Sequence, residues 1–138
     1  MTKDQYKVAL EVIEVVNTYF ETDCRIKSRK MNVVRPRMYA CKVIRELTGM
    51  IYQEIGDLFG LGHDNIIHYM KSVDRDLETD SRFKTYYVEL MSQVETSKVF
   101  KGTRLGRSHI ERDLRIEVFN ALMSKDVKQL NKILKIIT

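Results

Sequence analysis

The sequence has few of the residues that build flexible linkers, disulfide frameworks and the many tight turns of all-β proteins. Its 138 residues contain one proline, six glycines and two cysteines. So little proline and glycine argues against long linkers, low-complexity segments and an all-β architecture. Cys24 and Cys41 have neither the number nor the CxxC spacing of a disulfide framework or a zinc site, so we expect two free thiols.

Signals for membranes and for nucleotide-driven chemistry are also missing from the sequence. No apolar run approaches the roughly 18 residues that a membrane span needs, and the first residues, "MTKDQYKVALEVIEVV", lack the pattern of a signal peptide. The phosphate-loop pattern GxxxxGK[ST] is absent, and the glycine-dense segment 56–62 has no lysine for phosphates. We therefore expect a cytoplasmic protein that is not an enzyme.

Helical periodicity is the main structural signal that the sequence does contain. Apolar residues recur at spacings of three and four along almost the whole chain, which is typical of amphipathic helices. Pro36 fits the first turn of a helix, where its missing N–H costs nothing. The predicted helices cover about residues 3–20, 36–48, 51–59, 63–77, a stretch capped by Asp80 or Ser81, about 108–123, and the residues after Ser124. The predicted fold class is all-α, with about seven helices.

The last third of the chain is predicted to be a basic loop followed by two helices. The loop is "KGTRLGRSH", and Ser108 with Glu111 has the spacing of a capping box at the start of the sixth helix. Ser124 is a candidate cap for a seventh helix. The short connection between these two helices favours an antiparallel helical hairpin.

Charge is distributed unevenly along the chain. The net charge is +5, but residues 25–45, "RIKSRKMNVVRPRMYACKVIR", contain eight basic groups and no acidic group. Residues 1–24 and 46–97 are net acidic, and residues 98–138 are net basic. A cationic stretch between acidic segments indicates a surface that binds polyanions, and a solvated basic loop is the alternative.

The helices before and after "GLG" (residues 60–62) have the pattern of a helix-turn-helix motif. Gly56 is the small residue that the crossing of the two helices needs, and Gly60 is suited to a positive φ in the turn. The second helix of such a motif can lie in the major groove of DNA, because an α-helix fits that groove's width. Short glycine turns also occur between helices of proteins that bind no DNA, which is the alternative.

The predicted second helix of the motif separates an apolar side from a polar side. At 100° per residue, the core-facing side carries Ile66, Met70, Val73 and Leu77. The opposite side carries Asp64, His68, Lys71 and Arg75. His63 and His68 lie about 140° apart around a helix, so they cannot bind one metal ion together. A polar side of this kind is typical of a helix that contacts base edges, and an ordinary solvated face is the alternative.

The segment from Val16 to Leu90 resembles the C-terminal DNA-binding domain, domain IV, of the bacterial replication initiator DnaA. The strongest match is "VVRPRMYACKVIRELTGMIYQEIGDLFG", which is similar to the family's "ARPRQxAMxLAKELTxxSLPEIGxxFG" without a gap. The family's next signature, "GRDHTTVxHA", matches with one residue deleted in the turn. The resemblance implies a helix-turn-helix core of the DnaA domain IV or Trp repressor type, here followed by the C-terminal helical hairpin.

The residues at the start of the recognition helix depart from the family pattern. Gly62 stands at the family's aspartate, Asp64 and Asn65 stand at its two threonines, and Tyr69 stands at a small alanine. In the family, the resemblance implies, the residue at Arg37 enters the minor groove while the recognition helix contacts an AT-rich nine-base box. Because Asp64 repels phosphate and can accept from a cytosine amino group, we expect a different target site.

Two sets of residues are therefore predicted to contact double-stranded DNA. The predicted base contacts are Arg37, His63, Asp64, Asn65, His68 and Lys71. The predicted phosphate contacts are Arg25, Lys27, Arg29, Lys30, Arg35, Lys42 and Arg75. No catalytic residue, cofactor, metal ion, membrane or small-molecule substrate is expected.

We expect the chain to consist of a DNA-binding domain, residues 1–97, and an extension, residues 98–138. The ATPase module that accompanies this domain in the family has no counterpart in the sequence. We therefore expect a stand-alone, sequence-specific DNA-binding protein that acts in replication initiation or its regulation, with a phage or mobile element as the expected source. Residues 108–138 would form a homodimer contact, bind a protein partner or DNA, or only complete the core. The alternative function is a helical protein-protein adaptor or a transcriptional regulator with weak or non-specific DNA binding.

Overall fold

The computed structural model describes residues 1–124, and within that range every regular element is an α-helix. The seven helices are α1 (Lys3–Phe20), α2 (Met31–Thr48), α3 (Tyr52–Phe59), α4 (His63–Thr79), α5 (Ser81–Glu95), α6 (Lys98–Lys101) and α7 (Arg104–Ser124). The all-α fold class is thereby confirmed. No helix in the described range is long and apolar enough to cross a membrane.

The chain divides into two compact units, Met1–Leu105 and Gly106–Thr138. In the first unit, α1 packs against α2, α5 and α6, while α4 packs against α2, α3 and α5. The core between these helices is built from aliphatic residues of α1, α2, α3, α4 and α5, with the stacked rings of Phe20 and Tyr39 at one side. The predicted division at residue 97 stays a prediction.

Helix α1 begins and ends where its sequence pattern predicts. The Thr2 hydroxyl accepts from the backbone N–H of Gln5, and the Gln5 side chain accepts from the backbone N–H of Thr2. This capping box satisfies two of the N–H groups that a helix start leaves without a partner. The apolar side of α1 is buried over Val8, Ala9, Val12, Ile13 and Val16.

Helix α2 begins five residues earlier than the sequence predicts. Pro36 is not in its first turn, because the helix starts at Met31 and the backbone N–H of Val34 donates to the Lys30 carbonyl at 2.9 Å. Val34 packs against the core, which favours an early helix despite the hydrogen bond that Pro36 cannot donate. The end of α2 is as predicted, with Gly49 in the left-handed conformation at φ 68°.

The sequence predicts a loop over residues 101–109 and a capping box at Ser108, and both predictions are wrong. Residues 98–101 form the short helix α6, and α7 begins at Arg104, so that Ser108 lies inside a helix. The backbone N–H of Arg104 donates to the Asp4 carboxylate at 2.9 Å. The Asp4 carboxylate, 100 residues away in the sequence, thereby gives a hydrogen-bond acceptor to one of the backbone N–H groups that have no partner at the start of α7. The predicted seventh helix after Ser124, and with it the hairpin, falls outside the described residues.

Candidate nucleic-acid interface

The turn between α3 and α4 has the geometry of a helix-turn-helix. Gly60 ends α3 in the left-handed conformation, at φ 68°, as predicted. The backbone N–H of Leu61 donates to the Gly56 carbonyl at 2.9 Å, which folds the turn back over α3. Gly56 is buried, and a β-carbon there would meet the Leu61 carbonyl oxygen. The sequence correctly identified Gly56 as the position where only a small residue fits, and the group that it accommodates is the backbone of the turn.

Helix α4 presents one apolar and one polar side, as its periodicity predicts. Ile66, Met70 and Val73 are buried, and Leu77 packs against the core. The polar residues opposite them are exposed: Asp64, His68, Lys71 and Arg75. Two further predicted base contacts, His63 and Asn65, are exposed at the start of the same helix. The structure therefore brings five of the six predicted base contacts to the exposed surface of α4.

The side chains of His63 and Asp64 contact each other at the start of α4. The distance between His63 Nε2 and Asp64 Oδ1 is 3.1 Å, and their side chains are 56% and 89% exposed. A carboxylate near the first turn of a helix is favoured by the helix dipole. In this position Asp64 offers hydrogen-bond acceptors, and His63 offers a donor beside it.

The cationic segment 25–45 separates into an exposed half and an internally bound half. Arg25, Lys27, Arg29 and Lys30 are exposed on the loop that joins α1 to α2; we call residues 24–30 the basic loop. These four side chains are therefore available to phosphate groups.

The other cations of this segment are held by neighbours within the protein. The Arg35 guanidinium lies 4.4 Å from the centre of the Phe83 ring. Lys42 Nζ lies 3.2 Å from Glu46 Oε1 and 3.0 Å from Asp74 Oδ1. Burial lowers the pKa of Lys42, but the hydrogen bonds to Asp74 and Glu46 outweigh that effect and raise it above the ordinary value. Phosphate contacts by Arg35 and Lys42 stay predictions, and each requires the side chain to leave these partners.

Arg37 is buried, with 6% of its surface exposed. Its guanidinium donates to the carbonyls of Cys24, Ile26 and Ser28. It also donates to the Tyr69 hydroxyl on α4, at 3.4 Å. A minor-groove contact by Arg37 stays a prediction, and it requires the side chain to leave all of these acceptors.

A cleft of about 660 Å³ lies between the basic loop and the helix-turn-helix. Arg29 lines it from the loop, and Asn65 and Tyr69 line it from α4. The sequence did not predict this juxtaposition. The one sequence feature that could have indicated this cleft was Tyr69, because it is a large side chain at a position where the resembled family has a small alanine.

Both cysteines are buried free thiols, as expected. Burial raises the pKa of the Cys24 thiol to about 11, and it raises the pKa of Cys41 further. Thiols with a raised pKa are poor nucleophiles and poor metal ligands. Their place in the structure is the core of the first unit.

Comparison with known proteins locates the family resemblance on the chain. Residues 10–73 match the family model described as "Bacterial dnaA protein helix-turn-helix". The chromosomal replication initiator protein DnaA of Lactobacillus helveticus is 32% identical over 89 residues, which cover 62% of this chain and 20% of that protein. The DnaA protein of Citrifermentans bemidjiense is 32% identical over 91 residues, or 65% and 19% of the two chains. This chain therefore spans about a fifth of the length of these relatives. No solved structure matches it.

Proposed function

Because residues 10–73 match the family model of the bacterial DnaA helix-turn-helix, we propose that the protein binds double-stranded DNA sequence-specifically. In this proposal α4 lies in the major groove and the basic loop follows the sugar-phosphate backbone beside it. The observation that supports it most is the cleft that is lined by Arg29 of the loop and by Asn65 of α4. Base contacts and backbone contacts are needed on one surface, and this surface offers both.

The exposed start of α4 supplies the side chains for base recognition. Asn65 suits adenine, because its amide can donate and accept at one base edge, while Asp64 suits the amino group of cytosine. His63, His68 and Lys71 extend the same exposed side, and Lys71 suits guanine acceptors. This set differs from the family's residues, so we propose that the protein binds a site other than the AT-rich box that the family resemblance implies.

The exposed cations supply most of the affinity. Arg25, Lys27, Arg29 and Lys30 lie on the basic loop, and Arg75 lies on α4. If these five side chains contact phosphates, the logarithm of the binding constant should fall with the logarithm of salt concentration at a slope of about −4 to −5. Phosphate contacts position the protein without distinguishing sequences, so specificity rests on the few side chains of α4.

The biological role that we propose is replication initiation or its regulation. The named relatives are chromosomal replication initiator proteins, and the segment that matches them is their DNA-binding domain. A protein that recognises DNA through such a domain can mark sites or compete for them with an initiator. The ATPase activity of an initiator is not part of this proposal.

Selection from a random duplex library at two salt concentrations tests the proposal. We expect enrichment of a short site and an affinity that falls steeply as salt rises. The preferred site should change when Asn65 is replaced by alanine. A flat base preference together with the steep salt dependence would show a non-specific binder and would overturn the sequence-specific part.

A helical protein-protein adaptor is the second candidate function. It is favoured by the apolar residues that α7 exposes, among them Phe119, which is 62% exposed, and Met123, which is 70% exposed. Surfaces of this kind mark sites of protein association. A homodimer or a complex through α7, with no duplex binding even at low salt, would support the adaptor instead of the DNA-binding protein.

A further inference from the structure

Arg37 is a buried cation whose hydrogen bonds all end on uncharged groups. Its acceptors are three carbonyls of the basic loop and the Tyr69 hydroxyl, and within residues 1–124 no carboxylate forms an ion pair with it. Burying a guanidinium without a counter-charge is unfavourable unless hydrogen bonds replace its water. The loop carbonyls therefore stabilise Arg37, and Arg37 in return fixes the loop.

The carbonyls that Arg37 binds belong to every second residue of the basic loop. They are the carbonyls of Cys24, Ile26 and Ser28. The residues between and after them are Arg25, Lys27 and Arg29, and all three are exposed. Holding alternate carbonyls on one guanidinium leaves these three cations on the outer side of the loop. A chain segment with three like charges would otherwise repel itself and extend.

Tyr69 connects this arrangement to the recognition helix. Its hydroxyl accepts from Arg37 Nη1, and its side chain is 9% exposed. Tyr69 follows Asn65 by one helical turn, so the two residues share a face of α4, and both line the cleft. The contact therefore links the basic loop to the part of α4 that carries a proposed base contact.

We propose that Arg37 is a positioning residue that presents the cations of the basic loop and joins the loop to α4 through Tyr69. This inference rests on the DNA binding proposed above and identifies how the two parts of that surface are held together. Arg37 acts through Arg25, Lys27 and Arg29 and makes no DNA contact of its own. This positioning role differs from the role that the family resemblance implies, in which the same residue enters the minor groove.

Hydrogen exchange of the free protein tests the positioning role without any DNA. Arg37→Lys keeps the charge but removes the planar fork that reaches several acceptors. We expect faster exchange in residues 24–30 of the variant, while the amides of α3 and of the buried side of α4 exchange as in the wild type. Equal exchange of the loop in both proteins would overturn the proposal. This result is independent of DNA binding, so it separates a failure here from a failure of the proposed function.

A double-mutant cycle on DNA tests whether Arg37 acts through the loop cations. The comparison uses the selected duplex, Arg37→Lys, a triple variant with Arg25, Lys27 and Arg29 changed to glutamine, and the combination of both. Losing three phosphate contacts should reduce the steepness of the salt slope by about 2 to 3. We expect a similar reduction from Arg37→Lys alone and no further loss when it is added to the triple variant. The same fold-loss from Arg37→Lys in both backgrounds would show a direct DNA contact and would overturn the proposal.

Tyr69→Phe tests the link to α4 on its own. It removes one hydroxyl and keeps the buried ring. We expect roughly a two- to tenfold loss of affinity for the selected site, the range that one hydrogen bond supplies, with helix content unchanged by circular dichroism. Unchanged affinity for both selected and random duplexes would remove Tyr69 from the mechanism. Absence of duplex binding by the wild type at low salt would instead refute the proposed function, and the exchange experiment would still decide the role of Arg37.

Discussion

A β-carbon placed on Gly56 would lie 2.3 Å from the carbonyl oxygen of Leu61. Gly56 is in the middle of α3, and Leu61 is in the turn that leads to α4. The approach is closer than any side chain permits, and the opposing atom belongs to the backbone. The angle between the two helices of the motif therefore depends on the absence of a side chain at this position.

Gly56→Ala should destabilise the protein, because the added carbon forces the turn away from α3. We expect the free energy of unfolding to fall by about 1 to 3 kcal/mol, the range for overpacked cores, measured by urea denaturation. Gly62→Ala is the matched control, because a β-carbon there would meet only the Asn65 side chain, at 4.0 Å, and alanine at this N-cap of α4 should lower the free energy of unfolding by less than about 1 kcal/mol. Equal stability of the two variants would contradict this account of the turn.

Asp64→Asn should increase binding to random duplexes, because it removes a negative charge that lies close to the polyanionic DNA in the proposed complex. It should also weaken discrimination at one base pair, by about 1 to 3 kcal/mol, if Asp64 accepts from a cytosine. Glu78→Gln makes the same charge change about 21 Å further along α4 and should leave both quantities nearly unchanged. The measurements are the affinities for the selected site, for single-base variants of that site and for random duplexes. Equal changes in these affinities from Asp64→Asn and Glu78→Gln would exclude a specific role for Asp64.

Lys42→Gln should leave the salt dependence of DNA binding unchanged. The Lys42 ammonium is paired with both Glu46 and Asp74 and is only 16% exposed, so a phosphate contact would require it to leave both carboxylates. Lys27→Gln removes an exposed cation of the basic loop and should reduce the steepness of the salt slope by about 0.9. Titrations at several salt concentrations compare the two variants, and a reduced slope for Lys42→Gln would restore the phosphate contact that the sequence predicts for it.

Cys24 should make the stability of the protein fall at alkaline pH. Burial raises its pKa in the folded protein to about 11 from an ordinary value of 9.0, so the folded state holds this proton more tightly than the unfolded state. The protonated Cys24 thiol therefore contributes fully to stability below pH 9. As pH rises from 9 through 11 this contribution is lost, and the free energy of unfolding falls by at most about 1.4 kcal/mol per pH unit.

Cys24→Ala removes this contribution, and denaturation midpoints at pH 8, 10 and 11 measure it. The variant should lose less stability than the wild type between pH 9 and 11, although its smaller side chain lowers stability at every pH. Parallel stability curves for the two proteins over that range would contradict a raised pKa for Cys24.

The sequence by itself determined the features of this protein that depend on neighbouring residues. The period of 3.6 residues placed α1, α3 and α4, and it separated the buried Ile66 from the exposed His68. The glycine at position 60 was sufficient to predict a left-handed residue in the turn, which the structure has. The same local pattern carried the family resemblance, which the match over residues 10–73 confirms.

Only the tertiary structure decided which of the cations face solvent and where two of the helices begin. Arg37 bonds to a carbonyl 13 residues before it and to a hydroxyl 32 residues after it, and Lys42 pairs with Asp74 on another helix. Helix α7 starts against the carboxylate of Asp4, and α2 starts early where Val34 meets the core. Each outcome depends on a contact between residues far apart in the sequence, and neither composition nor periodicity encodes such contacts.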